Sequence, residues 1–247
     1  MKAAYFDIFS GISGNMVLGA LLDAGLKLDI LKKELSKLNI SDYELQTEKV
    51  VKNGISGTYL KVKLSDDDHC HEDHEHQHGR HLSEIEDLIA ESDLEESVKD
   101  LSTRIFRRLA ESEARIHNTD PDQVHFHEVG AVDAIVDIVG TAIGIHKLGI
   151  KKVFASRIHI GTGFGNCAHG KIPIPAPATL DLLQDTPVYS TGIESELVTP
   201  TGAAIITTLA EEFGSLPLMQ IRKIGYGAGS RNLEIPNLLR ISTGKLV

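Results

Sequence analysis

Residues 2–25, KAAYFDIFSGISGNMVLGALLDAG, admit one local reading: a strand, a glycine turn and a helix. KAAYFDIF is an apolar run of strand length, and SGISG breaks it. NMVLGALLDAG then carries Met16, Ala20, Leu21 and Ala24 at helical spacing, with Gly25 as the stop. The alternation returns through most of the chain and predicts an α/β fold, a mixed sheet flanked by helices. A short helix is expected over 29–38. Residues 43–51 and 55–64 read as strands joined by Lys52-Asn53-Gly54, a hairpin signal that rules against an all-parallel sheet.

Further along, Leu94, Val98, Leu101, Ile105 and Leu109 draw one apolar stripe on a long helix, which NTDPD at 118–122 ends. QVHFHE at 123–128 reads as a strand. VGAVDAIVDIVGTAIGIHKLG reads as a helix with Val132, Val136, Val139 and Ile143 inward, and KVFASRIHIG as a strand. A glycine and proline loop then leads into a helix near Ala178, and ELVTPTGAAIITTLAEEFG is a second loop-to-helix passage. MQIRKIGYGAG and NLLRISTGKLV look like closing strands. One α/β domain over 1–247 is expected, with a mobile histidine-rich surface loop at 66–81.

The formal net charge of −10 argues against nucleic acid or anionic lipid as a partner. No apolar run approaches the roughly 20 residues of a membrane helix, and the N-terminal stretch has no apolar signal core. Cys70 and Cys167 make no disulfide framework. A cytoplasmic protein without membrane contact is the expectation.

The loop itself is HCHEDHEHQHGRH, residues 69–81, in which six of thirteen residues are histidine. Neutral imidazoles bind nickel, copper and zinc, and this composition cannot build a core. Candidate metal ligands are His69, Cys70, His71, His74, His76, His78 and His81. Their density on a polar chain fits exchangeable capture better than a closed structural site.

A second candidate is HFHE. On a strand His125 and His127 share one face, with Glu128 beside them, and the following helix adds Asp133 and Asp137 one turn apart. A third is Asp7 with the turn Ser10–Gly14, a ligand position in α/β sheets that contributes Asp7, Gly11 and Gly14. The fourth is a set of glycine loops: GTGFG at 161–165, HGK with His169 and Lys171, TPTG with Thr199, Thr201 and Gly202, and GYGAG at 225–229. TPTG precedes an apolar helix whose first N–H groups can take an anion. His117 and His146 read as ordinary helix residues.

Taken together, DIFSGISGNM, HFHEVGAVDAIVDIVG, HGKIPIPAPATLDLL, ELVTPTGAA and GYGAG, in this order over residues 7–229, resemble the LarC family. These are the nickel-insertion proteins of the lactate-racemase cofactor pathway. A histidine-rich insert before HFHEVG is typical of that family. Asn15 departs from its pattern, which has Asp there.

The resemblance implies a nickel chelatase, or cyclometallase, of the lyase class. It places Ni(II) into a thiolated pyridinium mononucleotide, pyridinium-3,5-bisthiocarboxylic acid mononucleotide, with CTP and Mn(II) or Mg(II). An apo lactate racemase-type enzyme would receive the product, and an oligomer is expected. Sulfur donors on the substrate favour nickel over hard ions. Forming a metal–carbon bond releases a ring proton, so a base is needed, and His127, Glu128 and Asp133 are the catalytic candidates. Family members usually carry a C-terminal domain, to which CTP binding is attributed, beyond the stretch matched here. A nickel store is the competing reading, and a metal-dependent hydrolase using His125, His127 and Asp133 is a third.

Overall fold

The computed structural model describes residues 1–41, 43–64, 80–126, 132–167 and 170–247. The chain opens with β1 (Lys2–Asp7), α1 (Gly14–Asp23), α2 (Leu28–Leu35), β2 (Tyr43–Lys52) and β3 (Ile55–Leu64). Its middle holds β4 (Arg80–His81), α3 (Leu82–Ala90), α4 (Glu96–His117), a 3-10 turn (Pro121–Gln123), β5 (His125–Phe126) and α5 (Val132–Lys147). Next come β6 (Lys152–Ala155), β7 (Ile158–His159), β8 (Phe164–Cys167), β9 (Gly170–Pro173), α6 (Pro177–Leu182) and β10 (Val188–Tyr189). The last elements are α7 (Pro200–Leu209), β11 (Ala210–Phe213), β12 (Met219–Ala228) and β13 (Leu238–Leu246).

Seven strands form one mixed sheet in the order β11-β6-β1-β13-β12-β3-β2. β1 runs parallel to β6 and antiparallel to β13, and β2 pairs antiparallel with β3. The fold is therefore the mixed α/β sheet with helices that the sequence predicts. The hairpin turn falls on Asn53 and Gly54, both at positive φ, as a tight two-residue loop requires. Among the described residues, no helix is long and apolar enough to cross a membrane.

Strand alternation puts Ala4 and Phe6 of β1 with Leu239 and Ile241 of β13 on the core face, and Ala3, Tyr5 and Asp7 on the other. Helix α1 lies on the core face, against β12, and two glycines allow it. A β-carbon on Gly227 would stand 2.6 Å from Ala20 N and 2.7 Å from the Met16 carbonyl carbon. GYGAG is thus mostly strand, as the closing-strand reading expects, and its first two glycines serve helix packing instead of forming a loop. Helix α5 lies beside α1 and runs the same way. Gly140 meets Leu18 and Gly144 meets Leu21, each close enough that a larger residue would push the helices apart. Each Leu buried in that seam contributes about 1.5–3 kcal/mol.

Three local expectations change. KVFASRIHIG splits into β6 and β7, which belong to different sheets. In QVHFHE, Gln123 belongs to the 3-10 turn, and the described strand residues are His125–Phe126, which pair with Arg80–His81. GTGFG is not an open loop, because Phe164 and Gly165 begin the β8–β9 hairpin.

Candidate functional site

At the C-terminal end of β1, polar and glycine residues from distant parts of the chain meet. The turn that follows is pinned from one side by the segment before α7. Ile12 N–H donates to Leu197 O (2.9 Å), and Thr199 N–H donates back to Ile12 O (3.1 Å). Gly11, at φ +82, makes that approach possible, since a β-carbon there would fall 2.7 Å from Leu197 Cβ. Thr199 then caps α7, accepting the Gly202 N–H at 3.1 Å, with Pro200 in the first turn. Gly202 lies against the turn as well, with room for no side chain: Ser13 Cα would be 2.9 Å from a β-carbon. The starts of α1 and α7 therefore meet at residues 12–14.

α5 brings carboxylates to the same place. A β-carbon on Gly14 would be 2.5 Å from Asp137 Cβ, so the carboxylate lies against the start of α1 and accepts the Asn15 N–H. Asp137 Oδ1 is buried and has no hydrogen-bond partner among the described residues. Burial, and then the charge of Asp133, raise the Asp137 pKa well above the usual carboxylate range. Burial also raises Asp133, against the opposing hydrogen bond from Ala134 N–H at 2.9 Å. Asn15 and Ser13 complete the rim, with Ser13 Oγ donating to Asn15 Oδ1 at 2.6 Å. Ser10 is fully buried in the turn, and its hydroxyl has no partner among the described residues.

His159 supports the turn from behind. It is 2% exposed, stacks on Tyr189 at 4.6 Å, and bonds through Nδ1 to Phe9 O (2.7 Å) and through Nε2 to Thr191 Oγ1 (2.9 Å). A carbonyl only accepts, so Nδ1 carries the proton, and in the neutral ring Nε2 accepts from the threonine hydroxyl.

The structure thus brings Gly11, Gly14, Thr199 and Gly202 together, with Thr201 in the first turn of α7. Asp7 sits at the end of β1, but its carboxylate pairs with Arg240 across the β1–β13 register. Lys171 stands on the β8–β9 hairpin, its ammonium 5.1 Å from the ring centre of exposed Phe164. His81 is the residue before α3, and its N–H donates to Glu84 Oε2 at 2.6 Å. His125 lies in β5. His69, Cys70, His71, His74, His76, His78, His127, Glu128 and His169 lie outside the described residues, as does most of the 66–81 loop. His146 and His117 are ordinary helix residues, near Ser97 and Glu113 respectively. Sequence reasoning placed Ser10 in the turn but missed the burial of its hydroxyl, and it missed His159 and the burial of Asp137. A polar residue inside the apolar run RIHIG was the one available signal for His159.

This corner sets backbone N–H groups at two helix starts, which favour negative charge, beside two acids one turn apart, which can hold a proton; among the described residues no three His, Cys, Asp or Glu side chains gather as a metal site.

The sequence model described as nickel insertion protein matches residues 4–246. A pyridinium-3,5-bisthiocarboxylic acid mononucleotide nickel insertion protein of Desulfitobacterium hafniense is 55% identical over 246 residues, covering 100% of this chain and 59% of that protein. The protein of the same name from Acetivibrio thermocellus is 46% identical over 246 residues, covering 99% of this chain and 60% of its own length. The chain therefore spans about three fifths of these relatives. No solved structure matches it. With the match running through every element from β1 to β13, this chain belongs to the nickel insertion protein family.

Proposed function

We propose that this chain inserts Ni(II) into pyridinium-3,5-bisthiocarboxylic acid mononucleotide, the compound named for its relatives. The observation that carries the reading is the meeting of two helix starts with Asp137, whose Oδ1 is buried and unpaired. An anionic mononucleotide needs donors at its phosphate, and metallation of a ring carbon needs a carboxylate or imidazole to take the proton. The helix starts, with Gly11, Gly14, Thr199, Thr201 and Gly202, bind the phosphate, and Lys171 and His169 add a cation and a donor. Asp7 holds Arg240 beside them. His69, Cys70, His71, His74, His76, His78 and His81 gather nickel and pass it to His125 and His127. The ring proton leaves to His127 or Glu128, with Asp133 and Asp137 as the adjoining acids. CTP with Mn(II) or Mg(II) acts on the C-terminal region of the family, and the product goes to an apo lactate racemase-type enzyme.

The test compares nickel content with product yield. His125→Ala and His127→Ala are expected to keep most bound nickel and to form almost no product with the C-terminal region supplied. Insertion at the parent rate by both variants would leave nickel storage, the reading that six histidines in thirteen residues also supports, as the better account.

A further inference from the structure

We propose that the sheet surface beside β12 docks the further C-terminal region that the relatives carry. The proposal does not rest on the nickel chemistry. The helices that pack on the sheet do so on its core face, where α1 meets Gly225 and Gly227. Residues alternate along β12, so Ile224 points away from them, opposite Ser242. A bulge between Ile221 and Lys223 puts Ile221, opposite Gly244, on that same outer face.

Large apolar side chains are left in water here. Leu216, Leu218, Ile221 and Ile224 are 44%, 78%, 42% and 49% exposed. Scattered exposed apolar residues mean little, but four within one short stretch mark a surface that a partner covers. The strand is also open at its edge, since β12 registers with β3 only through Gly227 and Thr58. Beside it, a groove of about 370 Å³ is lined by Met1, Lys2, Arg222, Gly244 and Lys245.

Two observations select the occupant. Leu246 lies opposite Met219, and Val247 N–H donates to Leu218 O at 3.1 Å. In the relatives, the region after this position starts on the patch itself, so a short tether gives it a high effective concentration there.

Hydrogen exchange tests this. The C-terminal region of the Desulfitobacterium hafniense protein is joined after Val247, and exchange at residues 219–224 is compared with that in the 247-residue chain. Exchange in the joined protein should slow by about tenfold or more. Leu218→Lys with Ile224→Lys should restore fast exchange there without changing the melt of the 247-residue chain, since both positions are exposed. Equal exchange in a joined protein that melts cooperatively overturns the proposal. So does protection that grows with concentration in the 247-residue chain alone, which would assign the patch to a second copy. If the joined protein does not melt cooperatively, the intact Desulfitobacterium hafniense protein replaces it. Its peptide aligned with 216–226 must then exchange more slowly than this chain's, after correction for sequence, or the proposal fails.

Discussion

The Asp137 carboxylate accepts the backbone N–H of Asn15, so a residue of α5 closes the start of α1. That single bond leaves Oδ1 buried without a partner among the described residues. An acid whose native pKa is raised stabilises the fold fully below its unfolded value, about 3.9, and the contribution is lost as pH rises through the native value. Asp137→Asn keeps the acceptor for Asn15 and removes the buried charge. It is expected to melt about 2–4 °C above the parent at pH 7, or about 1 kcal/mol, with the gain vanishing near pH 4. Calorimetry at both pH values checks this. A lower melt at pH 7 would show that the charge is already satisfied.

Glu34 works in the opposite sense. It is held by Lys37 at 2.6 Å and Lys147 at 2.8 Å, tying α2 to α5. Burial pushes its pKa up, but the two ammonium groups outweigh that and hold it below the usual range. Its contribution is present above the unfolded value and is lost as pH falls through the native one. Glu34→Gln should cost about 1–2 kcal/mol at pH 7, and little once the pH falls below the native pKa. A denaturant series at neutral and acid pH reads both.

Two glycines separate crowding from conformation. At Gly227 a methyl group would strike the backbone of α1, while at Gly54 nothing lies within 4 Å but φ is +82. Gly227→Ala should cost about 3 kcal/mol or abolish soluble expression. Gly54→Ala should cost only about 1 kcal/mol. Equal midpoints for the two variants in urea would contradict the packing assigned to α1 and β12.

Residues 66–79, ahead of β4, should matter for metal and not for folding. Their deletion is expected to lower bound nickel, measured by calorimetry, and to leave the melt cooperative. Nickel retention by the parent should fall as pH drops from about 7.5 to 5.5, because imidazole titrates near 6.5. Retention that stays flat would point to carboxylate or thiolate ligands.

The parts of the fold legible in the sequence are those fixed by near neighbours. Asn53-Gly54 sets its own turn, and Val98, Ile105 and Leu109 are buried on α4 as their spacing requires. The turn after β1 was legible as a turn because its glycines are local. Its partners were not. That Gly202 meets Ser13, or that Asp137 meets Gly14, depends on helices far apart in sequence crossing at one point. The glycines of GYGAG misled for the same reason: they answer to α1, which no local pattern reveals. Asp7 looked like a free ligand because its partner, Arg240, lies in the last strand.

That first strand pairs with β13 along its whole length, Lys2 opposite Lys245 and Asp7 opposite Arg240. During synthesis β1 can find β6 early, but its other edge stays bare until β13 has left the ribosome. Until then Phe6 and the underside of α1 have only part of their cover, and an unpaired edge invites other chains. Pairings of such long separation also form slowly. The central sheet therefore closes only once β13 is made, and a cell making it has reason to shield the nascent chain until residues 238–246 emerge.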